Sequence, residues 1–386
     1  MALGNPMFFW LLAALAGWLF LRWLTGEDLS GFDRGHPDPQ PVVSTPAERA
    51  RMVERVTTLI TAADSGSLSL KRVAILRKVM DGMGEGASFS SRFEAVEQDF
   101  VRGEWVLGPD ADPQKRLLYI HGGGFFAGSP RSHRLLTDAL AVATGMAIFS
   151  LEYRLLPEAN QKAAIQDVDA ALKWLSVNGP SGDSRTATHL VVAGDSAGGN
   201  LTLSCLQRAR DEADVTIDAA IAFCPSSDIT LGSPSFRYNL DTDLILGKSL
   251  RPLLAIPSFL RLIVFFIINR QRPSHPAFSP LRGSLSGLPP TLLQASTTEL
   301  LLDDSARYYH KAKAAGSAVE FETYRDMVHV WQLFAAEIGE GRLAIASVVN
   351  FLERVGVLTQ QDQSSSEPLN CSQEADDSAP VGRARC

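Results

Sequence analysis

Three short stretches of this chain combine the residue types that acyl transfer needs. The first is Gly194-Asp195-Ser196-Ala197-Gly198, with Gly199 following it. A serine hydroxyl is a weak nucleophile until a neighbouring base takes its proton. Small residues on either side permit the tight strand-to-helix turn that lifts such a serine off a sheet edge. The second stretch is His121-Gly122-Gly123-Gly124-Phe125. Attack on a carbonyl places negative charge on its oxygen, and backbone N–H groups aimed there in advance stabilise it. Glycines let the backbone come close and take unusual dihedrals. The amides of Gly123, Gly124 and Ala197 are the expected donors. The third is His329, in Asp326-Met327-Val328-His329-Val330-Trp331. A base must reach the serine from a loop at the same sheet edge. The remaining histidines fit that place less well. His121 belongs to the glycine motif, His189 begins a strand, His310 lies on a helix, and His36, His133 and His275 fall in the linker, a helix start and the cap region.

An acid is needed to orient that histidine, and three carboxylates compete. Glu299 stands closest to the end of the strand PTLLQA, on the turn before a helix. Asp303 and Asp304 fall about one turn inside that helix, where an acid also suits the helix dipole. Glu299 is the first choice and Asp303 the alternative.

The elements that must hold these residues can be read from periodicity. Helical spacing marks 46–63 and 69–82, and a hairpin pattern covers 93–101 and 104–107. Then strands and helices alternate: strand 116–120, helix 132–144, strand 146–153, helix 161–177, strand 189–193, helix 198–210, strand 217–223, strand 290–295, helix 300–315, strand 319–324 and helix 342–355. Such alternation predicts a mostly parallel sheet with helices on both faces. The helical pair at 46–90 and an insertion at 230–287 interrupt it. Both read as caps over the C-terminal edge of the strands, where α/β sheets bind ligands. The catalytic unit is therefore expected over 91–357. The stretch 256–269, IPSFLRLIVFFIIN, is almost wholly apolar yet too short to span a bilayer. Buried core, acyl-pocket wall and bilayer-docking element are its three readings.

The ends differ from the middle. Residues 7–24 read MFFWLLAALAGWLFLRWL, about the length of a membrane-crossing helix, with Arg22 the one charge. Trp10, Trp18 and Trp23 suit membrane interfaces. A signal peptide competes, because Ala14-Leu15-Ala16 has the form of a cleavage site. No Lys or Arg precedes the apolar run, and apolar residues continue past the site, so an uncleaved single-pass anchor over 1–25 is expected. A helix packed on the domain is the bland reading, and the absence of a polar face speaks against it. Pro, Gly and Asp dominate 26–45, which reads as a linker. Residues 358–386 are polar and low in apolar content, the composition of a disordered tail.

Composition excludes several functions. A formal net charge of -7 argues against a nucleic-acid partner. Cys205, Cys224, Cys371 and Cys386 form no C-x-x-C pair, so a zinc or redox centre is not expected. Cys205 and Cys224 sit in apolar stretches and read as core. There is no P-loop, metal-ligand cluster or dinucleotide fingerprint, and no cofactor is implied.

HGGGF, EYRLLPE, GDSAGGN, GLPPTLLQAS and DMVHVW occur in this order. In this the chain resembles the hormone-sensitive-lipase-like esterases, which include arylacetamide deacetylase-like enzymes. The resemblance covers roughly 117–355 and adds the N-terminal helices as the family's usual cap. It implies an α/β-hydrolase fold and hydrolysis of short- to medium-chain or lipophilic carboxylic esters. Ser196 would be the nucleophile, His329 the base, and Gly123, Gly124 and Ala197 the oxyanion hole. Many members carry aspartate where this chain has Glu299; some carry glutamate, and the departure keeps Asp303 in play. Glu152, Tyr153, Arg154 and Asp167 match family positions and are expected to form a buried polar network under the serine. Two rival functions share the fold. Amidase or deacetylase chemistry uses the same triad. Gibberellin-receptor-like relatives bind small molecules but lack the catalytic histidine, which is present here. A small-molecule ester and membrane lipid are the expected partners.

Overall fold

Eight short apolar segments of this chain pair edge to edge into one sheet, ordered β1-β2-β4-β3-β5-β6-β7-β8. The computed structural model describes residues 6–63, 70–98 and 100–359. The strands are β1 (Arg92–Glu97), β2 (Arg102–Leu107), β3 (Asp112–Ile120), β4 (Met146–Leu151), β5 (His189–Asp195), β6 (Ala219–Phe223), β7 (Thr291–Ser296) and β8 (Val319–Tyr324). β1 and β2 form an antiparallel hairpin, and β2 also runs antiparallel to β4. From β4 through β8 every neighbouring pair is parallel. Parallel strands must be buried on both faces. Accordingly β4, β6 and β7 expose nothing along their length.

Side chains alternate across the sheet and feed two cores. Leu118, Val192 and Leu293 face α5 (Gln161–Val177), α6 (Ser196–Glu212) and α10 (Leu302–Ala314). Leu117, Val191 and Leu292 face α4 (Arg134–Thr144) and α11 (Gly339–Arg354). Val357, the last residue of the expected catalytic unit, and Leu358, the first of the expected tail, are both buried in this second core. From 360 onward that tail, with Cys371 and Cys386, lies outside the described residues.

Three parts of the molecule depart from expectation. First, the 26–45 segment is docked rather than free. Gln40 adds a parallel bridge to Tyr324 at the exposed edge of β8, its N–H donating to the Thr323 carbonyl at 2.8 Å. His36 Nε2 meets Asp303 at 2.7 Å and Arg307 Nη2 meets Asp33 at 2.9 Å. The strap ends in Thr45, whose hydroxyl accepts from Glu48 N–H while Glu48 Oε2 accepts from Thr45 N–H at 2.7 Å. That reciprocal cap starts α2 (Pro46–Ala63). Second, α1 (Pro6–Thr25) is not wholly separate from the domain. Its last turns meet α9 (Ser258–Asn269): the Trp23 and Phe266 rings lie edge to face at 5.5 Å, and Leu24 is fully buried. Its side chains from Trp10 to Phe20 are mostly exposed. Among the described residues no single helix is long and apolar enough to cross a membrane. One bent pair, α8 (Leu246–Leu254) with α9, passes on length and composition together, with a 96° bend.

Third, the apolar 256–269 stretch is not buried core. Within α9 only Leu262 and Asn269 are buried. Val264, Ile267 and Ile268 are 54%, 54% and 55% exposed. Phe265 points the other way, its ring 5.5 Å from that of buried Phe278. The helix thus packs on the body through Leu262 and Phe265 and on α1 through Phe266, and presents bare hydrocarbon at Val264, Ile267 and Ile268. A contiguous exposed apolar face of this kind marks a contact surface.

Candidate active site

Each of the three motif residues sits where a strand gives way to a loop or helix at one sheet edge. β5 runs through Asp195 and α6 begins at Ser196 itself, so the turn is a single residue. That sharpness comes from Ser196 at φ 54°, a left-handed conformation costing about 1–2 kcal/mol for a residue with a side chain. Helix and sheet can approach so closely only because residue 198 has no side chain. A Cβ there would lie 1.9 Å from the carbonyl oxygen of Ile120.

His329 Nε2 lies 2.9 Å from Ser196 Oγ, and His329 Nδ1 lies 2.6 Å from Glu299 Oε2. All three are nearly shut from solvent: Ser196 is 9% exposed, His329 5% and Glu299 0%. The second carboxylate oxygen of Glu299 accepts the Ser296 N–H at 2.8 Å, which fixes the plane of the group. A carboxylate only accepts, so Nδ1 carries the proton and Nε2 is free to accept from the serine. Burial pushes the His329 pKa down, but the hydrogen bond and charge of Glu299 outweigh it, and the net direction is up.

The competing acids are elsewhere. Asp303 pairs with His36, and its N–H donates to Ser235 Oγ at 3.1 Å. Asp304 Oδ2 accepts the N–H groups of Ser227 and Asp228 at 2.9 and 3.0 Å, pinning the chain that leads into the cap. Thus Glu299, not either aspartate, is brought to the histidine. The loops bearing acid and base are also tied together. Ser296 Oγ and Thr298 Oγ1 donate to the Met327 carbonyl at 2.6 and 3.1 Å, and Asp326 N–H donates to Thr297 Oγ1 at 3.1 Å. From above, α2 presses buried Met52 and Val56 into the cluster that holds Met327, Val328 and Val330.

The glycine motif lies against this site through Asp195. Its Oδ1 accepts Tyr119 Oη–H at 2.7 Å and Gly122 N–H at 3.0 Å, with His133 Nε2 at 3.3 Å. Burial drives this carboxyl upward, and the charge and hydrogen bond of His133 with the Tyr119 hydroxyl carry it net below its ordinary value. Gly122 N–H is thereby spent on Asp195, which leaves Gly123 and Gly124 as the amides free to meet an oxyanion. Gly123 has φ 116°, and a Cβ on it would fall 2.1 Å from the Ala127 carbonyl oxygen. His121 is buried with its pKa lowered to about 3 by burial. It is neutral, donates Nδ1–H to the Gly122 carbonyl at 2.8 Å, and stacks on Tyr153 at 4.3 Å.

The expected network of Glu152, Tyr153, Arg154 and Asp167 is corrected by these contacts. Tyr153 alone is buried, its hydroxyl donating to the His121 carbonyl at 2.9 Å. Glu152 is exposed, and Arg154 and Asp167 form a surface pair at 2.7 Å. Glu152, Tyr153 and Arg154 follow the end of β4, where Tyr153 turns inward and its neighbours turn to solvent, and Asp167 meets Arg154 from α5. Two positioning groups escaped sequence reading, Asp195 and His133. The motif letter x in G-x-S-x-G hides the first. The second carries no pattern at all, since its partner is 62 residues away in sequence.

Cys224 completes the surroundings. It follows β6 directly with φ 48°, and its sulfur accepts the Val330 N–H at 3.4 Å. Burial, then the charge of Glu299, push its thiol well above the usual range, so it stays protonated. Cys224, Glu299 and His329 are the one group among the described residues with the donor types of a metal site. Their atoms are committed otherwise: Glu299 and His329 to each other, and the sulfur as a thiol, which ligates poorly.

Comparison with known proteins agrees with this geometry. Residues 117–333 match the family described as having the α/β hydrolase fold. An acetyl-hydrolase of Streptomyces hygroscopicus is 36% identical over 250 residues, covering 64% of this chain and 78% of that protein. An esterase of Acinetobacter venetianus is 34% identical over 251 residues, covering 65% and 78%. Among solved structures, an esterase of the bacterial hormone-sensitive lipase family superposes with a TM-score of 0.66 at 31% identity, covering 81% of this chain and 99% of that one. The esterase EstE5, soaked with p-nitrophenyl butyrate, gives 0.67 at 31% identity over the same shares. The chain is an α/β-hydrolase. Within that fold it belongs to the hormone-sensitive-lipase-like esterases and is a carboxylic-ester hydrolase.

Proposed function

We propose that this enzyme cleaves short- to medium-chain or lipophilic esters at a membrane surface, with Ser196, His329 and Glu299 as its triad. The observation that carries the triad is the unbroken relay from Glu299 Oε2 through His329 to Ser196 Oγ at 2.6 and 2.9 Å. His329 takes the serine proton as Oγ attacks the ester carbonyl. Charge collects on the carbonyl oxygen, where the amides of Gly123, Gly124 and Ala197 receive it. His329 then protonates the departing alkoxide. Water, deprotonated by the same histidine, attacks the acyl-serine and releases the acid.

The membrane part rests on two apolar surfaces that meet. α1 serves as a single-pass anchor, and its last turns hold α9, whose exposed Val264, Ile267 and Ile268 lie on the bilayer. Substrate class follows, since an ester that partitions into lipid is delivered next to the cap. The test is a panel of p-nitrophenyl esters from acetate to dodecanoate beside p-nitroanilide counterparts. Butyrate to octanoate above acetate, and esters well above anilides, is expected. Preference for the anilides would turn the assignment to an amidase. A fluorophosphonate should label Ser196 and abolish turnover, and labelling elsewhere would remove Ser196 from the reaction.

A further inference from the structure

A second cavity, apart from the triad, lies between the end of α1, the start of the strap and the cap helices α8 and α9. Its volume is about 920 Å³, within the roughly 300–1,000 Å³ of small-molecule sites. Six arginines line it, Arg22, Arg237, Arg251, Arg261, Arg282 and Arg307, against two acids, Glu27 and Asp28.

Most of the charges are already satisfied. Arg282 Nη2 pairs with Asp228 at 2.7 Å, Arg307 Nη2 with Asp33 at 2.9 Å, and Arg251 with Asp241. Glu27 is held by Lys311, and Asp28 accepts both N–H and Oγ–H of Ser30 at 3.0 Å. Arg22, Arg237 and Arg261 have no ion pair among the described residues. Arg22 lies over the Trp18 ring at 5.9 Å, within the field of Asp28. Arg261 is the telling one. Its Nε and Nη1 are shut off from solvent and find no acceptor among the described residues. A guanidinium needs partners for its donors when it leaves water, and leaving them unpaired is costly. Burial alone acts on it, and in the direction that disfavours its charge. Arg261 lines the cavity without an ion pair among the described residues, so an anion entering the cavity would meet its guanidinium.

Apolar side chains line the same cavity. Leu254, Ile256 and Leu262 line the cavity and lead onto the exposed face of α9. A basic pocket whose apolar wall runs out to bare hydrocarbon suits an amphiphile with an anionic head. The spacing of a planar guanidinium fork matches two oxygens of one phosphate.

We infer that this cavity binds the phosphate of an anionic phospholipid, with Arg261 as the principal ligand and Arg22 and Arg237 beside it, the acyl chains lying along α9 and α1. The lipid source rests on the membrane reading above; the anion site rests on the cavity alone.

The test uses the full chain in a neutral detergent, with thermal unfolding as the readout. Phosphatidylglycerol at saturating amount is expected to raise the midpoint by about 2 °C or more over an equal amount of phosphatidylcholine, because a ligand that binds only the folded state stabilises it. Arg261→Leu should lose that gain without a lower starting midpoint, since it removes a partly buried cation that has no ion pair among the described residues. Arg237→Gln, at an exposed position, should reduce it. Equal gains from both lipids, or a gain retained by both variants, would overturn the site. sn-Glycerol 3-phosphate at the same concentration is expected to give no gain, and a gain equal to that of the lipid would overturn the lipid assignment. Flotation of the full chain with phosphatidylcholine vesicles scores the anchor separately, so loss of the anchor and loss of the anion site give different patterns.

Discussion

Replacing Glu299 by glutamine tests the relay at its most informative point. Both oxygens of Glu299 are acceptors, one for the Ser296 N–H at 2.8 Å and one for His329 Nδ1–H at 2.6 Å. Glutamine has one carbonyl oxygen and two N–H donors. If the oxygen faces His329, the amide nitrogen faces a buried backbone N–H, a clash of donors whose loss costs about 1–3 kcal/mol. If the oxygen stays on Ser296, the amide donates to Nδ1, and the proton moves to Nε2, facing Ser196. The second arrangement keeps the fold and disables the base. Wrong-tautomer variants of a triad lose roughly 10³–10⁴ in turnover, about 4–5.5 kcal/mol of transition-state stabilisation. The assay is kcat/KM on p-nitrophenyl butyrate from pH 5 to 9, with circular dichroism to establish equal folding. Asp303→Asn, assayed alongside, should change activity less than about threefold, because its partner is His36. The pH profile adds a sign. Activity needs neutral His329 and rises as pH climbs through its pKa. Glu299 holds that pKa above the ordinary 6.5 against burial. Without the carboxylate, burial prevails, and the acid limb of the residual activity should move to lower pH. Stability carries the same sign. A histidine whose folded pKa is raised contributes stability below its unfolded pKa that fades as pH rises through the folded value. The midpoint gap between wild type and variant should therefore be wider near pH 5 than near pH 8. Residual activity within tenfold of wild type, or a larger loss from Asp303→Asn, would refute the reasoning.

Other expectations follow from the same geometry. Ser196→Ala should fold normally, judged by its melting midpoint, and lose at least about 10³-fold in kcat. Gly123→Ala puts a Cβ 2.1 Å from the Ala127 carbonyl at φ 116°, so it should cut kcat far more than it changes KM, as measured with butyrate ester. Val264→Asp and Ile268→Asp, on the exposed face of α9, should weaken liposome co-sedimentation of an anchor-truncated enzyme without lowering its midpoint. Leu262→Asp and Phe265→Asp point inward and should instead destabilise it. Truncation is best made after Gly17. That cut keeps Trp23 on Phe266 and Leu24 in its buried place, and should leave the enzyme active and held on membranes only peripherally through α9, whereas removing residues 1–26 deletes both side chains and bares Phe266.

The sequence alone determined a good deal here. G-x-S-x-G after an apolar strand, the glycine run after another and a histidine after the last strand are local features. Each must sit at a strand end, and parallel strands put their ends at one edge. The alternation of strand and helix was legible for the same reason, since the two periods differ and the parallel strands are buried on both faces. What tertiary structure decided involves partners far apart in the chain. By spacing Glu299 is the first choice and Asp303 stays open; the four positions between them straddle the start of α10, which leaves Glu299 on the turn facing His329 and puts Asp303 in the helix facing His36. Asp195 joins Tyr119, Gly122 and His133 across 62 to 76 positions, which no local pattern records. The strap at 26–45 has the composition of a linker, yet the open edge of β8 offers it backbone hydrogen bonds that composition does not reveal. In the same way the apolar run at α9 reads as core by residue type. Whether hydrocarbon is covered depends on what packs against it, and here one line of residues is covered while the rest faces outward beside α1.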